Sequence, residues 1–84
     1  MMLVKERLKQ AKKILIGTKQ AKKAIEKGEA VLVFVARDAE KRVTEPILKL
    51  CEKEKIEVVF IDTMVELGRL CEIEVGSATA AIVQ

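Results

Sequence analysis

The sequence predicts an α/β fold, a three-layer α/β/α sandwich around a small four-stranded mixed sheet. Short apolar segments alternate along the chain with segments of helical period, and the longest apolar segment, "AVLVFVA" at 30–36, is apolar at every position. A strand that is apolar on both faces is typical of a sheet covered by helices on both sides. With 84 residues, half of them apolar, the chain is predicted to form one domain over residues 1–84.

The first third of the chain predicts the order helix, strand, helix. Apolar residues recur at helical spacing over residues 3–12, and the apolar triplet "ILI" at 14–16 predicts a short buried strand. Residues 18–27 predict a second helix, with Thr18 as its N-cap and Gly28 as the residue that ends it.

The middle of the chain predicts strand, helix, strand. The apolar segment at 31–36 is expected to be a central strand, and apolar residues at i, i+4, i+7 and i+8 predict a helix over 42–54. Pro46 is placed in the first turn of that helix, where a missing N–H does no harm. The segment "EVVFI" at 57–61 predicts the third strand.

The last part of the chain predicts one more helix and one more strand. Thr63 and Glu66 have the spacing of a capping box and are expected to begin a short helix that runs to Cys71. An irregular loop follows, and "TAAIV" at 79–83 predicts the final strand.

Several classes of site and segment are excluded or disfavoured by residue types. The chain has no histidine, so Cys/His zinc sites and Ser-His or Cys-His catalytic pairs are excluded, and neither Walker A nor Gly-x-Gly-x-x-Gly spacing occurs. Cys51 and Cys71 are far apart and lie on predicted apolar helix faces, which favours core packing. No metal or cofactor is expected, and the carboxylates give no catalytic signal. The longest apolar run is too short to span a membrane and the N-terminus lacks a signal-peptide pattern, so the default expectation is a cytoplasmic protein.

Positive charge is concentrated at the start of the chain. Residues 1–28 hold nine Lys or Arg and two Glu, a net charge of +7, whereas residues 29–84 have a net charge of −4. In the predicted helix at 18–27, Lys19, Lys23 and Lys27 recur every four residues along one side. The apolar residues of that helix fall on another side: Ala21, Ala24 and Ile25.

The lysine row has two interpretations. It is either a solvated helix face or an anion-binding surface, and composition does not decide between them. The glycine at position 17 supports the second interpretation, because it leaves room for a ligand at the helix N-terminus, where backbone N–H groups and the macrodipole favour negative charge.

A second unusual stretch is "CEIEVGSATA" at 71–80. Ile73 and Val75 flank Glu74 in what should be a loop. Both apolar side chains either pack beneath the loop or form a contact for an unstacked RNA base, and their spacing leaves both interpretations open. The aromatic residues, Phe34 and Phe60, lie inside predicted strands, which argues against an aromatic stacking platform.

Three segments together resemble the kink-turn-binding ribosomal protein family, which includes the archaeal L7Ae and the L30e proteins. They are "GTKQAKKAIEKG" (17–28), "VLVFVARDA" (31–39) and "ELGRLCEIEVGSATAAI" (66–82), in the family's order and spacing. The similarity runs from about Ala11 to Val83, and the short length resembles the compact bacterial members.

The resemblance implies the same sandwich fold and binding to kink-turns, in which a three-nucleotide bulge and tandem sheared G·A pairs bend an RNA helix. In the family, the glycine-led helix enters the major groove at the G·A pairs, the loop before the last strand covers a bulged nucleotide, and an acidic residue often follows the second strand near the RNA. The matching positions in this chain are Gly17, Thr18, Lys19, Gln20, Lys23, Lys27, Asp38, Ile73, Glu74 and Val75.

The chain departs from the archaeal pattern at four positions. Lys19 and Gln20 replace Asn-Glu, Met64 stands where lysine is frequent, and Glu72 stands where glycine is usual. Gln20 both donates and accepts hydrogen bonds, whereas glutamate only accepts, so contacts to guanine edges would be arranged differently.

The expected function is therefore kink-turn recognition without catalysis, by a ribosomal or ribosome-associated protein. RNA, with ribosomal RNA as one candidate, and the ribosome are the expected partners; the expected state is a monomer. One alternative is a structural ribosome-associated protein that binds a composite protein–RNA surface and has little affinity for free kink-turns. Another, a small enzyme or metabolite-binding regulator, is disfavoured by the missing histidine, phosphate-loop and metal motifs.

Overall fold

Three helices and four strands alternate through residues 13–83, which are the residues that a computed structural model describes. The helix predicted at residues 3–12 lies outside them. The elements in chain order are β1 Lys13–Ile16, α1 Thr18–Glu26, β2 Ala30–Ala36, α2 Lys41–Glu54, β3 Glu57–Ile61, α3 Met64–Leu70 and β4 Thr79–Val83.

The sheet is mixed, with strand order β1-β4-β2-β3. Strand β2 pairs parallel with β3, whereas β4 lies antiparallel to both β1 and β2. Strands β1, β2 and β3 therefore all point the same way. Their C-terminal ends and the start of β4 meet at one end of the sheet, which we call the carboxyl end.

The helices cover both faces of this sheet. Val33 and Val35 of β2 pack on one face with residues of α1 and α2, while Leu32 and Phe34 pack on the other face with Leu67 of α3. All residues of β4 and all but one of β2 are buried, as expected for the two central strands. The predicted three-layer sandwich with a mixed four-stranded sheet is confirmed.

Helix α1 begins one residue differently from the prediction. Gly17 is the N-cap, and Thr18 is the first helical residue, so the predicted N-cap role of Thr18 is wrong. The Thr18 hydroxyl instead donates to Thr79 Oγ1 at 3.4 Å. The predicted C-terminal stop is confirmed: Gly28 has a φ of 74°, and the N–H of Glu29 reaches back to the Ala24 carbonyl at 2.9 Å, which completes a Schellman motif.

Helix α2 begins earlier than predicted, so Pro46 is its sixth residue and lies in the second turn. The first-turn placement is therefore wrong. Proline at this position removes the hydrogen bond that an N–H would donate to the carbonyl of Arg42, which is an exposed residue. The helix ends at a second left-handed residue, Lys55, with a φ of 57°.

Both cysteines serve packing, as predicted. Cys51 is buried between α2 and the sheet, and Cys71, half-buried, packs against the core on the α3 side. Neither forms a disulfide. Burial raises the pKa of each thiol, which makes both poorer nucleophiles. Within residues 13–83, no helix has the length and apolar character that crossing a membrane requires.

Candidate nucleic-acid interface

The carboxyl end of the sheet collects most of the predicted site residues. Gly17 directly follows β1, Asp38 follows β2, and the segment at 71–78, which we call the 71–78 loop, leads into β4. The strand directions alone therefore place the start of α1, Asp38 and the loop at the same end of the molecule. Ligands of α/β proteins commonly bind at this end.

Gly17 fixes the start of α1 and keeps it open. Its φ of 106° lies in a region that favours glycine, and a Cβ at this position would meet no atom of residues 13–83 within 4 Å, apart from its chain neighbours. The Gly17 N–H donates to the Thr79 carbonyl at 2.9 Å, and its own carbonyl accepts from the N–H of Ala21. These bonds tie the helix start to β4, and within residues 13–83 no atom crowds the Cβ position of Gly17.

The first turn of α1 lacks a cap. No side chain of the described residues caps it, and no acidic residue lies in it. Among residues 13–83, the backbone N–H groups of Thr18, Lys19 and Gln20 have no acceptor. Three unpaired N–H groups and the positive end of the helix dipole favour an incoming anion.

The polar side chains of α1 point into solvent. Lys19, Gln20 and Lys23 are exposed, whereas Ala21, Ala24 and Ile25 are buried as predicted. Within residues 13–83, the ion pairs Arg37–Asp62 and Arg42–Glu40 do not involve α1, and none of its lysines is paired with a carboxylate there.

Lys27 lies apart from the other predicted contacts. It is the C-cap of α1, and eight residues of helical rise separate it from Lys19, which is about 12 Å. It is exposed, but it sits toward the opposite end of the sheet.

The two apolar residues of the 71–78 loop differ in exposure to solvent. Ile73 is half-buried, whereas Val75 is 71% exposed and Glu74 is also exposed. Val75 is thus accessible to a ligand, and Ile73 is less so. The sequence pattern treated the two residues alike, and the fold does not.

Two glycines hold the loop close to α3. A Cβ at Gly68 would overlap the carbonyl oxygen of Val75, and a Cβ at Gly76 would come within 3.2 Å of Met64. The N–H of Ser77 also donates to the Met64 carbonyl at 3.1 Å. The loop is therefore docked on the start and middle of α3, with Val75 outermost.

Glu72 adopts a left-handed conformation where α3 ends. Its φ is 61°, and the N–H of Ile73 donates to the Gly68 carbonyl at 3.0 Å, so the turn is a Schellman motif with glutamate in the position that glycine prefers. The glycine usual in the resembling family fits this backbone better.

Asp38 is exposed, and its carboxylate caps the start of α3. Its Oδ1 accepts a hydrogen bond from the Met64 N–H at 2.8 Å, and Thr63 Oγ1 accepts from the Glu66 N–H at 3.0 Å. Asp38 and Thr63 together cap the N-terminus of α3. The predicted N-cap role of Thr63 is confirmed, whereas the contribution of Asp38 was not predicted.

Three further residues shape this end of the molecule and were not singled out by sequence. Thr79 and Ser77 are buried polar residues: Thr79 receives the Thr18 hydroxyl, and Ser77 Oγ donates to the Thr79 carbonyl at 2.8 Å. Gly68 is the third. A glycine inside a helix costs about 1 kcal/mol relative to alanine, so its presence in "ELGRL" was a usable signal of close backbone approach.

Clustered metal-ligand side chains are not a feature of the described part of the carboxyl end. Among residues 13–83, no three or more Cys, Asp or Glu side chains come together to hold a metal ion. The chemistry available is an uncapped helix start, unpaired ammonium groups and one projecting apolar side chain, which suits binding of a polyanion with exposed apolar surfaces.

Comparison with known proteins finds relatives that are named as RNA-binding or ribosomal proteins. One is an RNA-binding protein of Caldanaerobacter subterraneus subsp. tengcongensis, 48% identical over 69 residues that make up 82% of this chain and 84% of that protein. The RNA-binding protein YbxF of Geobacillus stearothermophilus is 40% identical over 94% of this chain and 96% of its own length. The large ribosomal subunit protein eL8 of Halobacterium salinarum is 46% identical over 80% of this chain, which spans 57% of the archaeal protein.

The fold has a solved counterpart. The Giardia lamblia 15.5kD RNA binding protein superposes with a TM-score of 0.82 at 32% identity, covering 96% of this chain and 68% of that one. The model of the ribosomal protein L7Ae/L30e/S12e/Gadd45 family matches residues 2–84. With nearly the whole chain matched, and with bacterial relatives of its own length, this chain belongs to the ribosomal protein L7Ae/L30e/S12e/Gadd45 family.

Proposed function

We propose that this chain is an RNA-binding protein that recognises and stabilises kink-turns through the carboxyl end of its sheet. The observation that carries the proposal is the connection between α1 and the 71–78 loop. Gly17 is hydrogen-bonded to Thr79, and Ser77 is hydrogen-bonded to Met64, so the uncapped start of α1 and the projecting Val75 are held in one rigid arrangement. The names of the relatives, RNA-binding and ribosomal proteins, support RNA as the ligand.

The proposed contacts differ in kind. Lys19 and Lys23, with the free N–H groups beside them, neutralise phosphates and set the register of the protein on the RNA. Gln20 is exposed on the first turn and supplies both a donor and an acceptor to base edges. Lys27 extends the positive surface along the RNA backbone.

The loop contributes shape recognition. Val75 covers an unstacked base of the bulge, and half-buried Ile73 and exposed Glu74 precede it in the loop. Asp38 and Thr18 support the interface indirectly. Asp38 caps the start of α3, and the Thr18 hydroxyl joins α1 to β4. Because such a protein binds the bent RNA alone, it shifts the RNA population toward the kinked state.

The proposal includes residues 1–84 as a single kink-turn-binding domain, acting as a cytoplasmic monomer without catalysis or a cofactor. Similarity to an archaeal large-subunit ribosomal protein supports one second candidate, a structural ribosome-associated protein that binds a composite protein–RNA surface. Co-sedimentation with ribosomal subunits combined with weak binding to isolated RNA would favour that candidate.

A gel-shift titration tests the proposal. The probes are a standard kink-turn and a control in which the sheared G·A pairs are replaced by Watson–Crick pairs, each at two salt concentrations. We expect specific binding to the kink-turn that survives changes in flanking sequence and is lost with the control. Equal affinity for both RNAs would mean that the lysines bind phosphates without recognising the bend.

A further inference from the structure

Ser77 lies where the 71–78 loop meets two other elements. Its N–H donates to the Met64 carbonyl of α3 at 3.1 Å, and its hydroxyl donates to the Thr79 carbonyl of β4 at 2.8 Å. Ser77 is buried, with 6% of its surface exposed, so its side chain is not placed to contact RNA itself. Its hydrogen bonds therefore act within the protein.

The Thr79 carbonyl oxygen is shared between the loop and α1. It accepts the Ser77 hydroxyl at 2.8 Å and the Gly17 N–H at 2.9 Å. A carbonyl oxygen has two lone pairs and can accept both bonds. Thr79 is fully buried, so water does not compete for this oxygen. The end of the loop and the start of α1 are thus hydrogen-bonded to the same atom.

The position of Val75 depends on the backbone that follows it. Its side chain is 71% exposed, so packing of that side chain fixes it weakly. Gly76 comes next and has more conformational freedom than any other residue type. Ser77 is therefore the first residue after Val75 with a side chain that can fix the loop, and its hydroxyl is bonded to β4.

From these bonds we propose that Ser77 is a positioning residue that sets the selectivity of this chain for kink-turns over other RNA. Its hydroxyl holds Val75 at a fixed place relative to the start of α1. This inference rests on the proposed function, because it takes α1 and Val75 as the two RNA contacts.

A fixed spacing between two contacts selects for RNA shape. In the bent RNA, the phosphates that meet α1 and the unstacked base that meets Val75 are held at one separation. In an unbent control, the phosphates and the bulge are both present without that separation. A protein whose two contacts are already ordered loses less entropy when it binds the RNA that fits them, so its preference for the bent form rises.

Gel shifts of Ser77→Ala test this role with the kink-turn and its Watson–Crick control at two salt concentrations. We expect affinity for the kink-turn to fall by roughly three- to tenfold, the effect of one lost hydrogen bond. Affinity for the control and the slope of log K against log salt should stay unchanged, because the lysines of α1 still bind phosphates. A purely structural loss would instead lower the affinity for both RNAs by the same factor.

A double-mutant cycle with Val75→Ala tests whether Ser77 acts through Val75. We expect Val75→Ala to cost affinity for the kink-turn in the unaltered protein and to cost clearly less in Ser77→Ala, where Val75 is no longer held. Additive losses would overturn the proposal.

Two further variants separate positioning from stability. Ser77→Cys replaces the hydroxyl by a weak donor with little change in volume, and should give a smaller loss of selectivity in the same direction. Cys51→Ala, at a buried position under α2, should lower the melting temperature and keep the selectivity of the unaltered protein. All titrations are done below the melting transition of every variant.

The order of Val75 in the free protein gives a readout without RNA. In Ser77→Ala, the NMR order parameter of the Val75 amide should fall, because the loop loses its bond to β4. An unchanged order parameter would overturn the positioning role, as would selectivity that survives in Ser77→Ala. Equal affinity of the unaltered protein for both RNAs would instead contradict the proposed function itself, so the two failures are distinguishable.

Discussion

Helices α1 and α3 both begin at the carboxyl end of the sheet, but their N-termini are treated in opposite ways. Helix α3 is capped twice, by Asp38 on the Met64 N–H and by Thr63 on the Glu66 N–H. Helix α1 starts at Gly17 and leaves three N–H groups without an acceptor among residues 13–83. We propose that the difference is a division of labour, in which α3 is a closed framework that holds the 71–78 loop and α1 is the element that receives an anion.

The largest effect is expected from breaking the framework at Gly68. In Gly68→Ala, the added methyl group would overlap the Val75 carbonyl oxygen, and because that oxygen belongs to the backbone, the loop must move. We expect unfolding measurements to show a loss of about 1–3 kcal/mol, with a large loss of kink-turn affinity. Gly28→Ala, strained by its positive φ but distant from the loop, should lose stability and keep its affinity. Full RNA affinity in Gly68→Ala would contradict the framework role of α3.

Reversing a charge at the open helix should separate stability from binding. In Lys19→Glu, a carboxylate in the first turn of α1 complements the helix dipole and should stabilise the protein by about 0.3–1 kcal/mol. The same change should reduce RNA affinity by roughly tenfold at low salt and by less at high salt, because a phosphate contact becomes repulsive. Lys53→Glu, in the last turn of α2, should leave affinity unchanged. A variant at position 19 that gained stability and kept affinity would show that α1 does not face the RNA.

Substitution of Asp38, which caps α3 from 26 residues earlier in the chain, tests whether this side chain holds α3 in place. Asp38→Ala should destabilise the fold by about 1 kcal/mol, because the Met64 N–H loses its acceptor. Asp38→Asn keeps an acceptor and should lose less. Denaturant unfolding and gel shifts of both variants check this: affinity should follow stability. A loss of affinity in Asp38→Asn without a loss of stability would instead make Asp38 a direct RNA contact.

The smallest expected effect is a gain in both stability and RNA affinity. In Glu72→Gly, relief of the left-handed backbone should raise stability by about 0.5–1 kcal/mol. Affinity for RNA should also rise, because a negative charge leaves the loop. Lys55→Gly relieves the same conformation at the end of α2 and should raise stability alone. Thermal unfolding and gel shifts compare the two variants, and equal affinity gains in both would rule out an effect of the Glu72 charge.

The sequence predicted the layers and element order through residues 13–83, because apolar periodicity reports directly on which faces are buried. The signal was strongest in β2 and β4, the two central strands. It was weakest where burial depends on a neighbour distant in sequence. The exposure of Phe60 follows from the edge position of β3, which the apolar "EVVFI" does not reveal.

Prediction of the candidate interface had the same limit. Helical spacing separated the lysines of α1 from its buried alanines, and the resemblance selected the loop. Sequence did not reveal that Asp38 caps a helix 26 residues later, nor that Ile73 and Val75 face different surroundings. Both depend on how α3 and the loop pack together, and that packing requires Gly68 and Gly76 to approach their neighbours closely.

The central claim, that the open side of α1 faces the RNA, is tested most directly by the salt dependence of kink-turn binding by Lys23→Ala. Lys53→Ala is the matched control, an exposed lysine in the last turn of α2. If Lys23 contacts a phosphate, its removal should lower affinity and reduce the slope of log K against log salt by about 1. The control should keep both the affinity and the slope of the unaltered protein. Unchanged affinity and slope in Lys23→Ala would contradict the assignment of α1 to the RNA.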